Sequence, residues 1–352
     1  MKDISIGNNL IGITHKPYII AELSGNHGGS LDRAIELIKS AASTGADAIK
    51  FQTYTPDTIT IDSDREEFLI SDASSIWHGR TLYDLYEEAH TPWEWHKPMF
   101  ECARSLGVEV FSSPFDISSV DFLEDLNVSA YKIASLELSD TQLIKKVAQT
   151  GKPLIMSTGG AKLADIENAM KVARTNGAED IILLKCTSAY PALPEDANLK
   201  SMVTLKELFG CHVGLSDHTL GTAVSLASIA LGASVIEKHF IDDKSYETVD
   251  SQFSLDYAEF KFLVEQANIA WKSLGSASLQ SSESEATSVS HRRSIYVVEE
   301  MFEGEDFTYK NLKSIRPGNG LEVKYLEDFI GKKSRHSITK GTPLKWTDLS
   351  ES

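Results

Sequence analysis

Read for its apolar and polar positions, the first 275 residues repeat one two-part pattern. Short, nearly continuous apolar runs occur at Tyr18–Leu23, Ala48–Thr53, Val108–Ser112, Ala130–Ser135, Pro153–Thr158, Ile181–Thr187, His212–Ser216 and Val235–Phe240. Runs without alternation predict strands buried on both faces. Between them, apolar residues recur at helical spacing in 32–43, 93–106, 118–126, 140–150, 163–175, 199–209, 222–231 and 256–274. Strand–helix alternation predicts a parallel sheet covered by helices, and eight such units predict a closed (β/α)8 TIM barrel. An open doubly wound sheet is the alternative. Ser30, Ser139 and Asp140 offer N-cap oxygens, and Gly45, Gly107, Gly151, Gly177 and Gly232 fit helix C-termini.

Two stretches break the pattern. Residues 54–90 form one long βα connection, of the kind that covers or binds at the C-terminal face of a barrel. Residues 276–290 are polar and Ser-rich and predict a linker. Beyond them, 291–352 predicts a small second domain with a strand at 294–298 and a strand-rich stretch at 331–342. Glu303-Gly304-Glu305 and Lys340-Gly341-Thr342 are two similar turns.

Charge follows the same division. The chain carries 34 Lys/Arg against 51 Asp/Glu, a net −17. From His291 onward there are 11 against 10, so the barrel share holds 23 against 41. An acidic chain is not a general nucleic-acid binder and does not dock on anionic lipid. The sequence has no signal-peptide pattern and no apolar run long enough to span a bilayer. Three cysteines without metal-type spacing lead to the expectation of a reducing, cytoplasmic setting.

In a barrel, chemistry belongs at the C-terminal strand ends. These carry Glu22; Lys50 and Gln52; Ser112 and Ser113; Lys132, Ser135 and Glu137; Ser157; Ser188 and Tyr190; Ser216, Asp217 and His218; and Glu237, Lys238 and His239. Unpaired, such groups cost several kcal/mol each to bury, so eight polar strand ends together mark a site. His218 and His239, on adjacent strands, suit one divalent cation or a general acid/base pair, with His27 as a competing ligand. Lys50 and Lys132 suit a phosphate clamp or a Schiff base. The Gly159-Gly160 turn offers backbone N–H groups to an anion. Cys186 and Cys211 read as small buried hydrophobes. Trp93-Glu94-Trp95-His96 reads equally as helix packing or as a sugar-stacking surface.

Taken in order, Ala21-Glu22-Leu23 with Asn26-His27-Gly28, Lys50-Phe51-Gln52-Thr53, Phe111-Ser112-Ser113-Pro114-Phe115-Asp116, Tyr131-Lys132-Ile133-Ala134-Ser135, Met156-Ser157-Thr158-Gly159, Gly214-Leu215-Ser216-Asp217-His218-Thr219 and Glu237-Lys238-His239-Phe240 resemble the sialic acid synthase family. Arg292-Arg293-Ser294 and Arg316-Pro317-Gly318-Asn319-Gly320 resemble its C-terminal antifreeze-like (SAF) domain. The resemblance implies condensation of phosphoenolpyruvate with an N-acylated amino sugar, assisted by Mn2+ or Mg2+. It implies His218 and His239 as metal ligands, and Lys50, Lys132, Ser157 (or its turn neighbours) and Ser216 in contact with phosphoenolpyruvate. Glu22, Gln52, Tyr190 and Asp250 would address the sugar or the attacking water, and Ser113, Ser135, Glu137 and Ser188 are further substrate-binding candidates. Arg316 would reach the sugar from the partner subunit of a domain-swapped homodimer. Ser188-Ala189-Tyr190-Pro191, Val249-Asp250-Ser251 and the run 81–96 resemble the family's pseudaminic acid branch. Its sugar is 2,4-diacetamido-2,4,6-trideoxy-β-L-altropyranose. Neighbouring branches that make N-acetylneuraminate or legionaminate, a Schiff-base aldolase, and a non-catalytic sugar-binding protein are the alternatives.

Overall fold

The computed structural model describes residues 1–73 and 75–350. The chain forms two compact units, Met1–Gly275 and the segment from Ser276 onward. Among the described residues ten strands belong to the first: β1 (Ile4–Ile6), β2 (Asn9–Ile11), β3 (Tyr18–Glu22), β4 (Ala48–Thr53), β5 (Glu109–Pro114), β6 (Tyr131–Ile133), β7 (Leu154–Ser157), β8 (Ile181–Cys186), β9 (His212–Asp217) and β10 (Val235–His239). The last eight close into a parallel barrel in the order β10-β3-β4-β5-β6-β7-β8-β9. This is the expected (β/α)8 fold.

The barrel helices are α1 (Leu31–Ser43), α4 (Trp93–Ser105), α5 (Ile117–Asp125), α6 (Thr141–Ala148), α7 (Leu163–Thr175), α8 (Ser201–Phe209), α9 (Ala223–Ala230) and α10 (Tyr257–Leu274). Their boundaries follow local chemistry. The side chains of Ser30, Asp116, Asp140 and Asp256 accept N–H bonds in the first turns of α1, α5, α6 and α10. These caps satisfy donors the helix cannot. Of the two expected oxygens before α6, Asp140 provides the cap. Gly45, Gly107, Gly151, Gly177 and Gly232 all have positive φ, so the helix-to-strand turns use the conformation that glycine alone adopts cheaply.

Three features lie outside the sequence reading. A hairpin, β1–β2, precedes the barrel and buries Ile4, Ile6 and Ile11 in its core. It sits at the end where strands begin: the Asn8 N–H donates to Glu109 at the start of β5, and His212 at the start of β9 bonds to the Lys2 carbonyl at 2.8 Å. The long connection after β4 contains α2 (Pro56–Ile59) and α3 (Leu82–Ala89). Tyr54, at its root, packs its ring against Phe115 and Tyr86. The Ser-rich stretch holds a short helix, α11 (Ala286–Ser290), entered through Ser282, whose N–H donates to Glu285. That capping pair was visible in the sequence as Ser-x-x-Glu.

The second unit has its own core of Ile295, Val297, Met301, Phe307, Leu312, Phe329, Ile338 and Leu344. The strand β11 (Ser294–Val297) pairs antiparallel with β12 (Leu312–Ile315), and α12 spans Leu326–Phe329. The stretch 331–342 forms no strand. It makes isolated bridges, Lys333 to Asp306 and Ile338 to Met301. The turn glycines Gly304 and Gly341 both take positive φ, as their similarity predicted. No helix among the described residues is long and apolar enough to cross a membrane.

Two buried histidines bear on stability. His96, on α4, donates from Nδ1 to the Pro92 carbonyl and accepts at Nε2 from Thr53. Burial pushes its imidazolium down to about 4. His27, bonded to Thr91 and to the Gly29 N–H, is likewise pushed by burial to about 4. Each folded-state value lies below the unfolded one, so the unfolded chain takes up the proton first as pH falls. The stability is whole above pH ~6.5 and is lost toward pH ~4. Between pH 7 and 5 each histidine is expected to cost about 2 kcal/mol. Urea unfolding of wild type and His96→Gln at the two pH values checks this, the variant losing less; equal losses would count against it.

Candidate active site

Strand alternation decides which strand-end side chains point inward. Glu22 of β3, Lys50 of β4, Lys132 of β6 and Glu237 of β10 meet in the barrel mouth, none more than 6% exposed. Lys50 forms an ion pair with Glu22, lies 3.9 Å from Glu237 Oε1, and donates to Ser113 at 3.1 Å. Lys132 lies 3.6 Å from the same Glu237 oxygen. Gln52 donates to Glu22 at 3.1 Å, and Ser216 to Glu237 at 3.2 Å. Two lysines thus share two carboxylates in a space with little water.

The charge states follow. Burial would push the Lys50 ammonium down, but Glu22 and Glu237 outweigh it and hold it above the ordinary lysine range. Burial lowers Lys132, with Glu237 opposing. Burial raises Glu22, whereas in Glu237 the two lysines overcome burial and hold the carboxyl low. Glu22 therefore takes up a proton more readily than Glu237. Among the described residues Glu22 Oε2 is held by Lys50 alone, and Glu237 Oε2 is buried without a hydrogen-bond partner. A buried orphaned oxygen beside a lysine pair suits a polar ligand.

Beside this cluster is a cradle of small side chains. The Ser157 and Ser188 hydroxyls are buried without partners. A Cβ added at Gly159 would stand 2.3 Å from Ser188 Oγ, 2.8 Å from Ser135 Oγ and 3.2 Å from Cys186 Sγ, so glycine keeps the cradle open. The Gly159 N–H is not free for an anion, since it donates to Ser135 at 3.1 Å. Cys186 is buried as expected but also has a polar neighbour. Burial opposes its ionisation, yet contact with His218 outweighs it and brings the thiol to about 7.

His218 and His239 come together, their ring centroids 5.3 Å apart. His218 Nδ1 faces the Thr187 carbonyl at 2.9 Å and so carries the proton, leaving the Nε2 lone pair available. Burial and His218 hold His239 well below the usual imidazole range, and its Nδ1 is buried without a hydrogen-bond partner, 3.9 Å from Asp250. Burial would lower His218, but Cys186 and the Thr187 carbonyl hold it above the usual imidazole range. Once His218 gives up its Nε2 proton, that nitrogen and the unpartnered His239 Nδ1 offer two lone pairs that fit a divalent cation. Among the described residues no group of three or more His, Cys, Asp or Glu side chains forms a cage, so substrate or water would complete the coordination. His27, the competing candidate, has both ring nitrogens engaged elsewhere.

The remaining predicted residues divide. Tyr190 packs its ring 4.4 Å from His218, and Phe253 packs against both histidines. Asp250 is buried, accepts from the Gly25 N–H, and is raised by burial. Glu137 is half-buried on the loop after β6, and burial raises it. Arg316 stands exposed just after β12 in the second unit. Trp93 stacks on Phe122 and Trp95 packs edge-on to His27, so this aromatic run serves packing.

Two residues without a role in the sequence reading belong here. Glu237, in sequence only a polar strand end and part of the Glu237-Lys238-His239-Phe240 motif, is the carboxylate common to both lysines. Trp77 comes from the long connection after β4. Its ring lies 5.6 Å from Tyr190, and its indole N–H donates to the Val249 carbonyl at 3.1 Å. In a ring of eight, β4 and β8 stand opposite each other. A contact from the β4 connection to the β8 loop therefore spans the mouth.

A family model described as the NeuB family matches residues 37–278, and a SAF domain model matches residues 292–350. The chain belongs to the NeuB family. It is 45% identical over 346 residues to a pseudaminic acid synthase of Campylobacter jejuni, covering 98% of this chain and 100% of that one. It is 42% identical to a pseudaminic acid synthase of Helicobacter pylori, covering 96% and 98%. Among solved structures it resembles an N-acetylneuraminic acid synthetase of Leptospira borgpetersenii in complex with citrate, with a TM-score of 0.73 and 30% identity over 82% of this chain and 95% of that one.

Proposed function

We propose that the protein is a transferase that condenses phosphoenolpyruvate with 2,4-diacetamido-2,4,6-trideoxy-β-L-altropyranose and water, giving pseudaminic acid and phosphate. What carries this reading is the likeness to pseudaminic acid synthases over nearly the full length of both chains. The two-lysine, two-histidine mouth supports the reaction class.

The enol carbon of phosphoenolpyruvate bonds to the aldehyde carbon of the open-chain sugar. The aldehyde oxygen takes a proton and becomes a hydroxyl. Water adds at C2 and gives up one proton, which balances the one taken by the aldehyde oxygen. The C2–O bond to phosphate then breaks as the C2 hydroxyl becomes the keto group. Its proton leaves with phosphate, and the keto acid closes to a ring. Lys50 and Lys132 hold the carboxylate and phosphate charge in a dry mouth, where fixed cations act most strongly. Ser113, Ser135, Ser157 and Ser216 line the same space and orient the enol. Glu22, steadied by Gln52, exchanges the proton of water or the new hydroxyl. Glu137, Ser188, Tyr190 and Asp250 bind the sugar. A divalent cation held by His218 and His239, Mn2+ or Mg2+, would supply Lewis-acid polarisation of the aldehyde oxygen.

Arg316 would complete the sugar site from the partner subunit of a homodimer. Supporting such a cover, Leu136, Leu163, Leu193 and Leu220, each between a barrel strand and the helix that follows it or at that helix's first residue, are more than half exposed. The protein would work in the cytoplasm.

The test is phosphate release from phosphoenolpyruvate with three sugars: the trideoxy diacetamido altrose, the legionaminate precursor and N-acetylmannosamine. The expected result is at least tenfold preference in kcat/KM for the first and loss of activity with chelator. A site organised around particular hydroxyl or acetamido groups supports such discrimination. Preference for another sugar moves the chain to that branch. Borohydride trapping of a lysine with chelator-insensitive turnover would replace the mechanism with a Schiff base.

A further inference from the structure

The inward residues of β9 and β10 bear the chemistry, but the residues between them face the other way. In the parallel register Asp217 lies directly beside Lys238. Ser216 and Glu237 precede this pair and meet inside the mouth; His218 and His239 follow it and meet inside again. Asp217 and Lys238 themselves point out toward α9. Lys238 is completely buried and donates to Asp217 Oδ2 at 3.0 Å and to the Thr219 carbonyl at 2.5 Å. Asp217 Oδ1 accepts from the Thr219 N–H at 2.9 Å and the Thr219 hydroxyl at 2.8 Å. Its Oδ2 also accepts from Ser225 of α9 at 2.5 Å.

These bonds enclose His218 on both sides and anchor the residue before His239. A fully buried ion pair is poor material for stability, because apolar replacements of similar size often do as well or better. Its strength is directional: it fixes one register and one turn shape. Metal-ligating imidazoles need such outer support, since small changes in their orientation alter affinity.

We propose that Asp217 and Lys238 are positioning residues, an outward-facing ion pair that sets the 217–219 turn and the β9–β10 register so that the His218 and His239 imidazoles converge on one cation. This rests on the reading of those histidines as a metal pair.

The test compares wild type with Lys238→Met and with the double variant Asp217→Asn/Lys238→Met. The single variant strands a buried carboxylate and is expected to lower Tm sharply. The double variant removes both charges and is expected to fold with a Tm near wild type. In it, Mn2+ affinity measured by calorimetry is expected to fall about tenfold to a hundredfold. Its kcat should fall in parallel while KM for phosphoenolpyruvate stays within about twofold, because Lys50 and Lys132 are untouched. A double variant that binds Mn2+ and turns over like wild type would overturn the proposal. So would one whose Tm falls while its Mn2+ affinity holds. If wild type itself binds no Mn2+, the metal reading fails separately. Positioning is then read from kcat alone, which must still drop with KM for phosphoenolpyruvate unchanged.

Discussion

Lys50→Met is expected to lower kcat/KM for phosphoenolpyruvate about a thousandfold, with most of the loss in kcat. Among the described residues Lys50 is the only cation paired with Glu22 and one of two facing Glu237, all in a buried mouth. The substitution removes charge that would oppose the developing phosphate. It also leaves Glu22 buried beside an apolar side chain, which favours its protonated form. Breaking a buried pair from one side costs about 3–5 kcal/mol of stability. Lost folding could therefore imitate lost catalysis. The double variant Lys50→Met/Glu22→Gln removes both charges and is expected to recover much of the Tm without recovering the rate. Steady-state kinetics and thermal melts separate the two. A single variant within about tenfold of wild-type kcat/KM would remove Lys50 from the charge-binding role.

The second large effect concerns the histidines. His218→Ala and His239→Ala are each expected to abolish measurable turnover and to weaken Mn2+ binding by about a hundredfold or more. Stability should respond differently. His239 Nδ1 is buried with no hydrogen-bond partner, so removing the ring also removes a polar group that costs free energy to bury. The His239→Ala Tm is expected to stay within a few degrees of wild type, offset by the void left beside Phe253. His218 gives up its bond to the Thr187 carbonyl and is expected to lose somewhat more. Calorimetric titration with Mn2+ gives the first result and differential scanning the second. Near-normal turnover in both variants would overturn the ligand assignment.

Much of this site was legible because a barrel turns one-dimensional order into a ring. Once eight apolar runs are recognised, the polar residues at their ends must converge, whatever lies between. Lys50, Lys132, His218 and His239 were found on that ground alone. What the sequence could not express was pairing across the mouth. Glu237 and Lys238 are adjacent charged residues in one strand, and only the pleat separates an inward carboxylate shared by two lysines from an outward ammonium held by Asp217. Trp77 was hidden for another reason. It lies in an irregular connection without periodicity, and its partners Tyr190 and Val249 come from the loops after β8, across the ring, and after β10. The second unit was less legible, because its edges meet through isolated bridges that leave little alternation to read. Thus β12, with Lys313 in its middle, leaves no strand signal, and 331–342 reads as strand-rich although it forms only isolated bridges among the described residues.

The closure of the barrel also constrains how the chain can be made. Its seam joins β3 to β10, with Tyr18 beside Val235 and Glu22 beside His239. While the protein is being synthesised, Glu22 waits without the strand that completes its side of the mouth until His239 has emerged. Any fragment ending before β10 leaves β3 and β9 as open edges, ready to pair with another chain. Closing so long a loop is slow relative to local helix formation. The final step of barrel folding is therefore also the step that assembles the site, so a ribosome-bound chain stopped short of Phe240 should be both inactive and prone to aggregate.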